Sequence, residues 1–447
     1  MPKRPSRVLG LALAFLLAAC AAQVAAPRDG GQSPSAKPSP TNATTDVLYI
    51  SASGSAIDAR ISVVDARTGT IVRELSAGVL SRDRSTLYST DSLNGATQTR
   101  VRVSDLATGR ELRSVTIDGH FHTVYENFVP VGPSADGRWL VLMNDAIKLD
   151  DKYVTRFAVV DTVGAASRMI ELRDGWPYEF AALAPDGQKL YLIDHSPSAQ
   201  PVGIRAYNMS AGALEKTAVP GSEWNEWQAN GWRSAAVTSA DGRWLFSVQG
   251  NVIDAPFVLA LDTVNERAQR IQLPVAQHTK DYEKAMLWSL VLSRDGARLF
   301  TVNPGVGAVN EIDTAALAVR RTGSIPITRA SMDDPVAAVM QAIFPVAAAK
   351  RLLRSGAVLS PDGRTLYAAA GSGIVMIDTD SLAQRAVVSK DVAYDNLVLS
   401  PDGERIYVIT PDAWSTIAII RTHDGSSAGA FRLPWYPGAI LRVDSGG

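Results

Sequence analysis

Short apolar runs alternate with polar turns along most of this chain, at the spacing of β-strands. One such turn has an Asp-Gly pair before an apolar or aromatic strand, as in Asp362-Gly363 before Leu366-Tyr367. Asp-Gly between two apolar runs predicts a tight hairpin, because glycine adopts a positive φ without a Cβ clash. The Asp-Gly turns, with one degenerate copy first, are Asp83-Arg84, Asp136-Gly137, Asp186-Gly187, Asp241-Gly242, Asp295-Gly296, Asp362-Gly363 and Asp402-Gly403.

A second kind of turn alternates with the first and is marked by an Asx residue. Asx side chains accept hydrogen bonds from the backbone two residues on, which again indicates a hairpin. The second turns lie at Asp65, Asp105, Asp161, Asn208, Asp262, Asp313, Asp378 and, more loosely, Thr422-His423-Asp424. Together the two turns predict units of four short strands, about 50 residues apart, as in the blades of a β-propeller.

The two ends of the repeat region complement each other. The repeats begin with Val47-Leu48-Tyr49-Ile50, which has the pattern of a second strand, and end with a lone first-strand pattern at 438–443. An open solenoid has no reason to divide a repeat in this way. We therefore predict an all-β, closed propeller of about eight blades, with seven as the alternative, in which the C-terminal strand completes the first blade.

The units resemble YVTN-type repeats, which are related to WD40-like bacterial propellers. The segments Leu299-Phe300-Thr301-Val302-Asn303 and Ile406-Tyr407-Val408-Ile409-Thr410 carry the resemblance, which covers almost everything after residue 46. The resemblance implies a propeller fold, and the family includes binding proteins, scaffolds and enzymes. Long insertions between several units depart from the family pattern.

The first 46 residues differ from the rest. Basic residues and an apolar run precede Leu17-Ala18-Ala19-Cys20, which resembles the bacterial lipobox and implies that Cys20 is lipidated. We predict a lipoprotein signal peptide over residues 1–20, a disordered tether over 21–46 and a single propeller domain over 47–447. An ordinary signal peptide is the alternative. The predicted location is the cell envelope, outside the cytoplasm, on a membrane through the lipid.

Composition narrows the class of partner. The net charge is −1 and no basic stripe with interleaved aromatic residues occurs, which argues against nucleic acid as the partner. Cys20 is the only cysteine, so the chain forms no internal disulfide and no cysteine-based zinc site.

Strand direction sorts the connections onto two faces of the ring. Both kinds of repeated turn must lie on one face, here named the repeated face, and the irregular connections on the other, here named the variable face. Binding residues are concentrated on irregular loops that a rigid scaffold holds. The candidate binding residues of the variable face are Trp176, Trp224, Trp227, Trp232, His120, His122, His195 and His278. This distribution predicts a binding or scaffolding module for an extracytoplasmic protein or glycan partner.

Other functions have weaker sequence signals. His120-Phe121-His122 and the acidic stretch 144–151 contain possible metal ligands, calcium included, but no full ligand set, so no cofactor is predicted. A propeller enzyme of the lactonase or quinoprotein or amine dehydrogenase kind is the alternative, with polar residues at the channel mouth. No complete catalytic motif occurs, because the G-x-S-x-G match at 425–429 lies in a hairpin turn. An insertion over 328–355 is predicted to be helical.

Overall fold

A computed structural model describes residues 46–446 except 53–59, 127–128, 131, 195–202, 224–232, 250–254, 276–278, 280–281, 327–355, 371–372, 390–393 and 411–414. Strands dominate the described chain. The elements of its first half are β1 (Val47–Ala52), β2 (Arg60–Asp65), β3 (Ile71–Ser76), β4 (Gly78–Leu80), β5 (Thr86–Leu93), a 3-10 turn (Asn94–Ala96), β6 (Gln98–Asp105), β7 (Glu111–Asp118), β8 (His122–Thr123), β9 (Tyr125–Glu126), β10 (Val129–Pro130), β11 (Trp139–Leu149), β12 (Lys152–Asp161), β13 (Ser167–Asp174), β14 (Glu179–Leu183), β15 (Lys189–Asp194), β16 (Gly203–Asn208) and β17 (Ala213–Leu214). Those of its second half are β18 (Arg233–Thr238), β19 (Trp244–Gln249), β20 (Phe257–Asp262), β21 (Arg267–Gln272), α1 (Tyr282–Met286), β22 (Ser289–Leu292), β23 (Arg298–Asn303), β24 (Ala308–Asp313), β25 (Ala318–Ser324), β26 (Ala357–Leu359), β27 (Thr365–Ala370), β28 (Gly373–Asp378), β29 (Gln384–Val388), β30 (Asp395–Leu399), β31 (Arg405–Thr410), β32 (Thr416–Arg421), β33 (Ser427–Arg432) and β34 (Pro437–Asp444).

The described strands form eight four-stranded antiparallel sheets, the blades of a propeller. Blade 1 has the order β3-β2-β1-β34, blade 2 contains β4 to β7, and blade 3 has the order β13-β12-β11-β8. Blades 4 to 8 each contain four consecutive strands, from β14–β17 to β30–β33. The prediction of an all-β propeller with eight blades is confirmed.

The C-terminal strand closes the ring as predicted. β34 pairs antiparallel with β1, with Leu48 opposite Val443 and Ile50 opposite Ile440. Ile440 also packs in a cluster with Tyr407 and Ile417 of blade 8. The last strand therefore completes the first blade and contacts the last one.

The first repeated turn owes its sequence to a small hydrogen-bond network. In blade 7, Asp362 Oδ1 accepts from the backbone N–H of Arg364 at 3.1 Å, and Ser360 Oγ accepts from that of Thr365 at 2.9 Å. Gly363 has a φ of 71°. The equivalent glycine of five other blades also has positive φ, at Gly137, Gly187, Gly242, Gly296 and Gly403.

The second repeated turn is bonded to the first. Asp378 Oδ1 accepts from the backbone N–H groups of Asp380 and Ser381 at 2.9 and 2.7 Å. The hydroxyl of Thr379 donates to the carbonyl of Gly363 at 2.8 Å. The same bond is made by the threonines of four other blades, Thr162, Thr263, Thr314 and Thr422. Both turns therefore lie on one face, as strand direction predicts.

The core lies between neighbouring blades. The second strand of each blade has a buried centre, because it is covered on both sides, as for Tyr191 and Tyr407, whose side chains have no exposed area. One cluster joins blades 2 and 3 through Tyr88, Val101 and Leu140. Each blade thus depends on the next for the burial of its apolar face.

Blade 3 departs from the regular pattern. Its strands β11 and β12 have 11 and 10 residues, whereas most second and third strands have six. Its innermost strand is interrupted by the two-stranded hairpin of β9 and β10.

The predicted helical insertion at 328–355 lies outside the described residues. None of the described helices is long and apolar enough to cross a membrane.

Candidate functional site

Most of the predicted site residues lie outside the described part of the chain. Those outside are Trp224, Trp227, Trp232, His195, His278 and Cys20. Those within are Trp176, His120 and His122, which belong to the variable-face side of blades 2 and 3. The geometry below therefore concerns blades 2 to 5 of the variable face.

Trp176 lies in the connection between blades 3 and 4 and is 49 % exposed, whereas Trp288 in the core is 2 % exposed. Its ring stacks on that of Tyr153, with centroids 6.3 Å apart and planes 14° from parallel. The ammonium of Lys148 lies 5.6 Å from the Tyr153 ring centroid. We name Lys148, Tyr153 and Trp176 the aromatic platform.

The local fold accounts for the platform. Lys148 and Tyr153 are register partners in the extended β11–β12 hairpin, so their side chains share one face of it. Tyr153 is also opposite Asp174 of β13, two residues before Trp176. The platform is therefore built on paired strands and is held in place by the blade.

The opposite face of the same hairpin is also partly apolar. Ile147 and Leu149 are 41 % and 43 % exposed. They alternate with Lys148 along β11, so they point to the other side of the hairpin. The end of blade 3 thus presents apolar and aromatic surface on both sides, bordered by charged residues.

The two histidines of the His-x-His pair have different partners. Nδ1 of His120 is 3.0 Å from the hydroxyl of Ser92, whereas Nε2 of His122 is 3.3 Å from a carboxylate oxygen of Asp145. Among the described residues, no group of three His, Cys, Asp or Glu side chains is close enough to hold a metal ion. The arrangement gives no support to a metal site at this pair.

A polar network lies beside the platform, between blades 3 and 4. Tyr178 donates to Asp174 at 2.8 Å, and Arg205 donates to Asp194 at 2.9 Å and to the Tyr178 hydroxyl oxygen at 3.3 Å. Burial, followed by the hydrogen bond to Asp174, raises the pKa of Tyr178. The phenol therefore stays protonated and acts as a fixed donor.

A second ion pair lies at the channel mouth. Arg233, whose side chain is 5 % exposed, donates to Glu179 at 2.8 Å and to the carbonyl of Phe180 at 2.9 Å. Burial lowers the pKa of Arg233 to about 10, which leaves it charged at neutral pH. These contacts join the innermost strands of blades 4 and 5, so they have a structural role.

Sequence reasoning identified Trp176 but not Tyr153 or Lys148. The alternation Ile147-Lys148-Leu149 continues β11 past the usual strand length, and Asp150-Asp151 then marks a turn, which together are the sequence signal for a projecting hairpin. The stacking of Trp176 on Tyr153 depends on register, which only the structure shows.

No protein-family model matches the chain, and no curated protein matches its sequence. Among solved structures, it is similar to the dihydro-heme d1 dehydrogenase NirN in complex with DHE, with 14 % identity and a TM-score of 0.50, over 93 % of this chain and 78 % of that one. It is also similar to apo AztD from Citrobacter koseri, with 12 % identity and a TM-score of 0.48 over 88 % and 96 %. A third is the periplasmic gluconolactonase PpgL of Pseudomonas aeruginosa, with 18 % identity and a TM-score of 0.42 over 81 % and 99 %. At 14 % identity, the similarity to NirN shows the fold alone, a β-propeller.

Proposed function

We propose that this chain is a lipid-anchored, extracytoplasmic propeller of the YVTN type that binds a protein partner through its variable face. The aromatic platform carries the proposal. A tryptophan that is half-exposed and rigidly stacked supplies a large contact area with little loss of side-chain entropy on binding. Lys148 adds a cation beside the rings, which favours a partner surface with a carboxylate next to an apolar side chain.

An enzymatic function has less support from the described residues. The carboxylates of these two polar groups, Asp174, Asp194 and Glu179, are each bonded to a tyrosine or an arginine. Among the described residues, every carboxyl group whose pKa departs from its ordinary value has it lowered, as for Asp161 beside Arg138, with a pKa of about 2. A general acid requires a raised carboxyl pKa, so the carboxyl groups with a lowered pKa are not prepared for that role.

We expect Trp176→Ala to weaken partner binding by at least tenfold, because an aromatic anchor at an interface contributes about 2 kcal/mol or more. The measurement is the yield of the partner in affinity purification from cross-linked cell envelopes, with the variant at equal abundance. Val264→Ala is the matched control, because Val264 is 56 % exposed but lies on the repeated face. An unchanged yield with Trp176→Ala would contradict the proposal. Capture of a glycan and of no protein would mean that the partner is a sugar and not a protein.

We expect Cys20→Ser to move the protein from the membrane fraction to the soluble fraction, because the proposed acyl chains contribute about 0.8 kcal/mol per buried CH₂ group. Detergent phase partitioning of both proteins measures the change. Ser39→Ala, in the proposed tether, is the control and should leave partitioning unchanged. Membrane retention of Cys20→Ser in the detergent phase would rule out this anchor.

A further inference from the structure

The first turn of blade 2 departs from the other first turns at its glycine position, which holds Arg84. It reads Ser81-Arg82-Asp83-Arg84, where blade 7 has Ser360-Pro361-Asp362-Gly363. The turn network is retained, since Asp83 Oδ1 accepts from the backbone N–H of Ser85 at 3.0 Å. Arg84 occupies the glycine position with a φ of 57°. A left-handed conformation costs a non-glycine residue about 1–2 kcal/mol, so arginine at this position lowers the stability of the turn relative to glycine.

Both arginines line the central channel. Two adjoining cavities of about 370 and 390 Å³ are lined by innermost strands and turns, which together come from all eight blades. Leu80, Arg82, Arg84 and Ala236 line both cavities. The blade 2 turn therefore lies where the two cavities meet.

The turn is fixed from two sides. The Arg82 guanidinium reaches across the channel and donates to the carbonyls of Thr238, at 3.0 Å, and Ser239 in blade 5. Arg442 of β34 donates to the carbonyl of Arg84. The backbone that carries Arg84 is thus held in place before any ligand binds.

The charge in this part of the channel is positive. The lining of the two cavities includes two arginines and no aspartate or glutamate. Asp241 is close enough to Arg82 to stabilise its charge. The Arg84 side chain is solvent-accessible, and among the described residues its guanidinium has no hydrogen bond or ion pair. Partial burial, and to a smaller extent the like charge of Arg442, lowers the pKa of Arg84.

We infer that the channel binds a small organic oxyanion, a carboxylate or a phosphate ester, with Arg84 as the primary ligand and Arg82 beside it. A guanidinium presents paired N–H donors that match the two oxygens of either group. The cavity volumes lie in the range of small-molecule sites. The remaining lining is largely apolar, including Leu80, Ala181 and Leu245, which suits an apolar body behind the anionic group. This site is distinct from the aromatic platform and does not depend on it.

The test is isothermal titration of the full chain, in detergent and at constant ionic strength, with inorganic phosphate, phenyl phosphate and benzoate. We expect saturable binding, tighter for an aromatic probe than for phosphate, and at least tenfold weaker binding to Arg84→Gly. Phenyl phosphate and benzoate distinguish a phosphate ligand from a carboxylate. Arg84→Lys, which keeps the positive charge but lacks the paired N–H donors of the guanidinium, should bind with intermediate affinity.

Arg84→Gly restores the residue that six other blades use, so its thermal midpoint should equal or exceed that of the original chain. Arg294→Ala is the control, because Arg294 holds the Arg82 position of blade 6 and does not line either cavity. Absence of saturable binding for all three probes would overturn the inference. So would equal affinity of Arg84→Gly and the original chain.

Discussion

A chain that ends at Tyr436 is expected to lose cooperative unfolding and to accumulate in insoluble form. The deletion removes β34, which pairs with β1 from Val47 to Ala52 and supplies Ile440 and Leu441 to two core clusters. Without it, Leu48 and Ile50 lie on an open sheet edge, and open edges promote aggregation. Thermal unfolding followed by circular dichroism, together with the soluble yield, measures the effect.

Two further chains make this experiment specific. Deletion of residues 446–447 leaves β34 whole and should unfold at the original temperature. Moving residues 437–444 to a position before Asp46, joined by a Ser-Pro-Asp-Gly-Arg turn, makes the first blade contiguous like the other seven. This permuted chain should fold, because the turn has the sequence that joins first and second strands elsewhere. Normal folding of the chain ending at Tyr436 would contradict closure by β34.

The second large effect is expected for Asp262→Ala in blade 5. The Asp262 side chain has no exposed area and accepts from Arg243 at 2.7 and 3.1 Å and from the backbone N–H groups of Val264 and Asn265. Burial opposes ionisation, but the Arg243 and Asn265 hydrogen bonds lower the pKa of Asp262 overall. We expect a loss of about 3 kcal/mol, because the backbone N–H groups of the turn lose their buried acceptor and Arg243, whose side chain is 37 % exposed, loses its partner.

Asp313→Ala is the matched control for that experiment. Asp313 has the same place in blade 6, and among the described residues its carboxylate accepts from the backbone of Ala315 and Ala316 alone. We expect it to lower the free energy of unfolding by about 1 kcal/mol, the effect of a lost turn contact. Chemical denaturation of both variants gives the comparison. Equal losses would mean that the ion pair between Arg243 and Asp262 adds nothing to the stability of the second turn.

The fold was predictable because its determinants are local. The Asp-Gly turn requires a positive φ, and the Asp-Thr turn bonds to it, so most blades carry their own signature in sequence. The eighth blade shows the limit of that signature. In its second turn, Arg421 occupies the position of the Asx residue in the other blades and donates to Ser426 Oγ. The loose match at Thr422-His423-Asp424 therefore began one residue after the true start of that turn.

The candidate sites were predictable only in part, because they depend on distant contacts. Trp176 was identified from its residue type and loop, but its stacking on Tyr153 follows from the pairing of β12 with β13. Arg84 was visible as a degenerate turn. The ligand-binding role that we propose for it was not, since only the closed ring places the blade 2 turn opposite blade 5, where Arg82 donates to Thr238. A departure from a regular repeat is therefore the sequence signal to follow in such chains.

Site-specific photo-cross-linking tests the central claim, that the variable face of blade 3 is the binding surface. A photoreactive phenylalanine analogue would replace Trp176 in one chain and Val264 in another, and both would be irradiated in intact cells. We predict a discrete adduct of higher mass from position 176 and none from position 264, which is equally exposed on the repeated face. An adduct from position 264 with none from position 176 would contradict the claim.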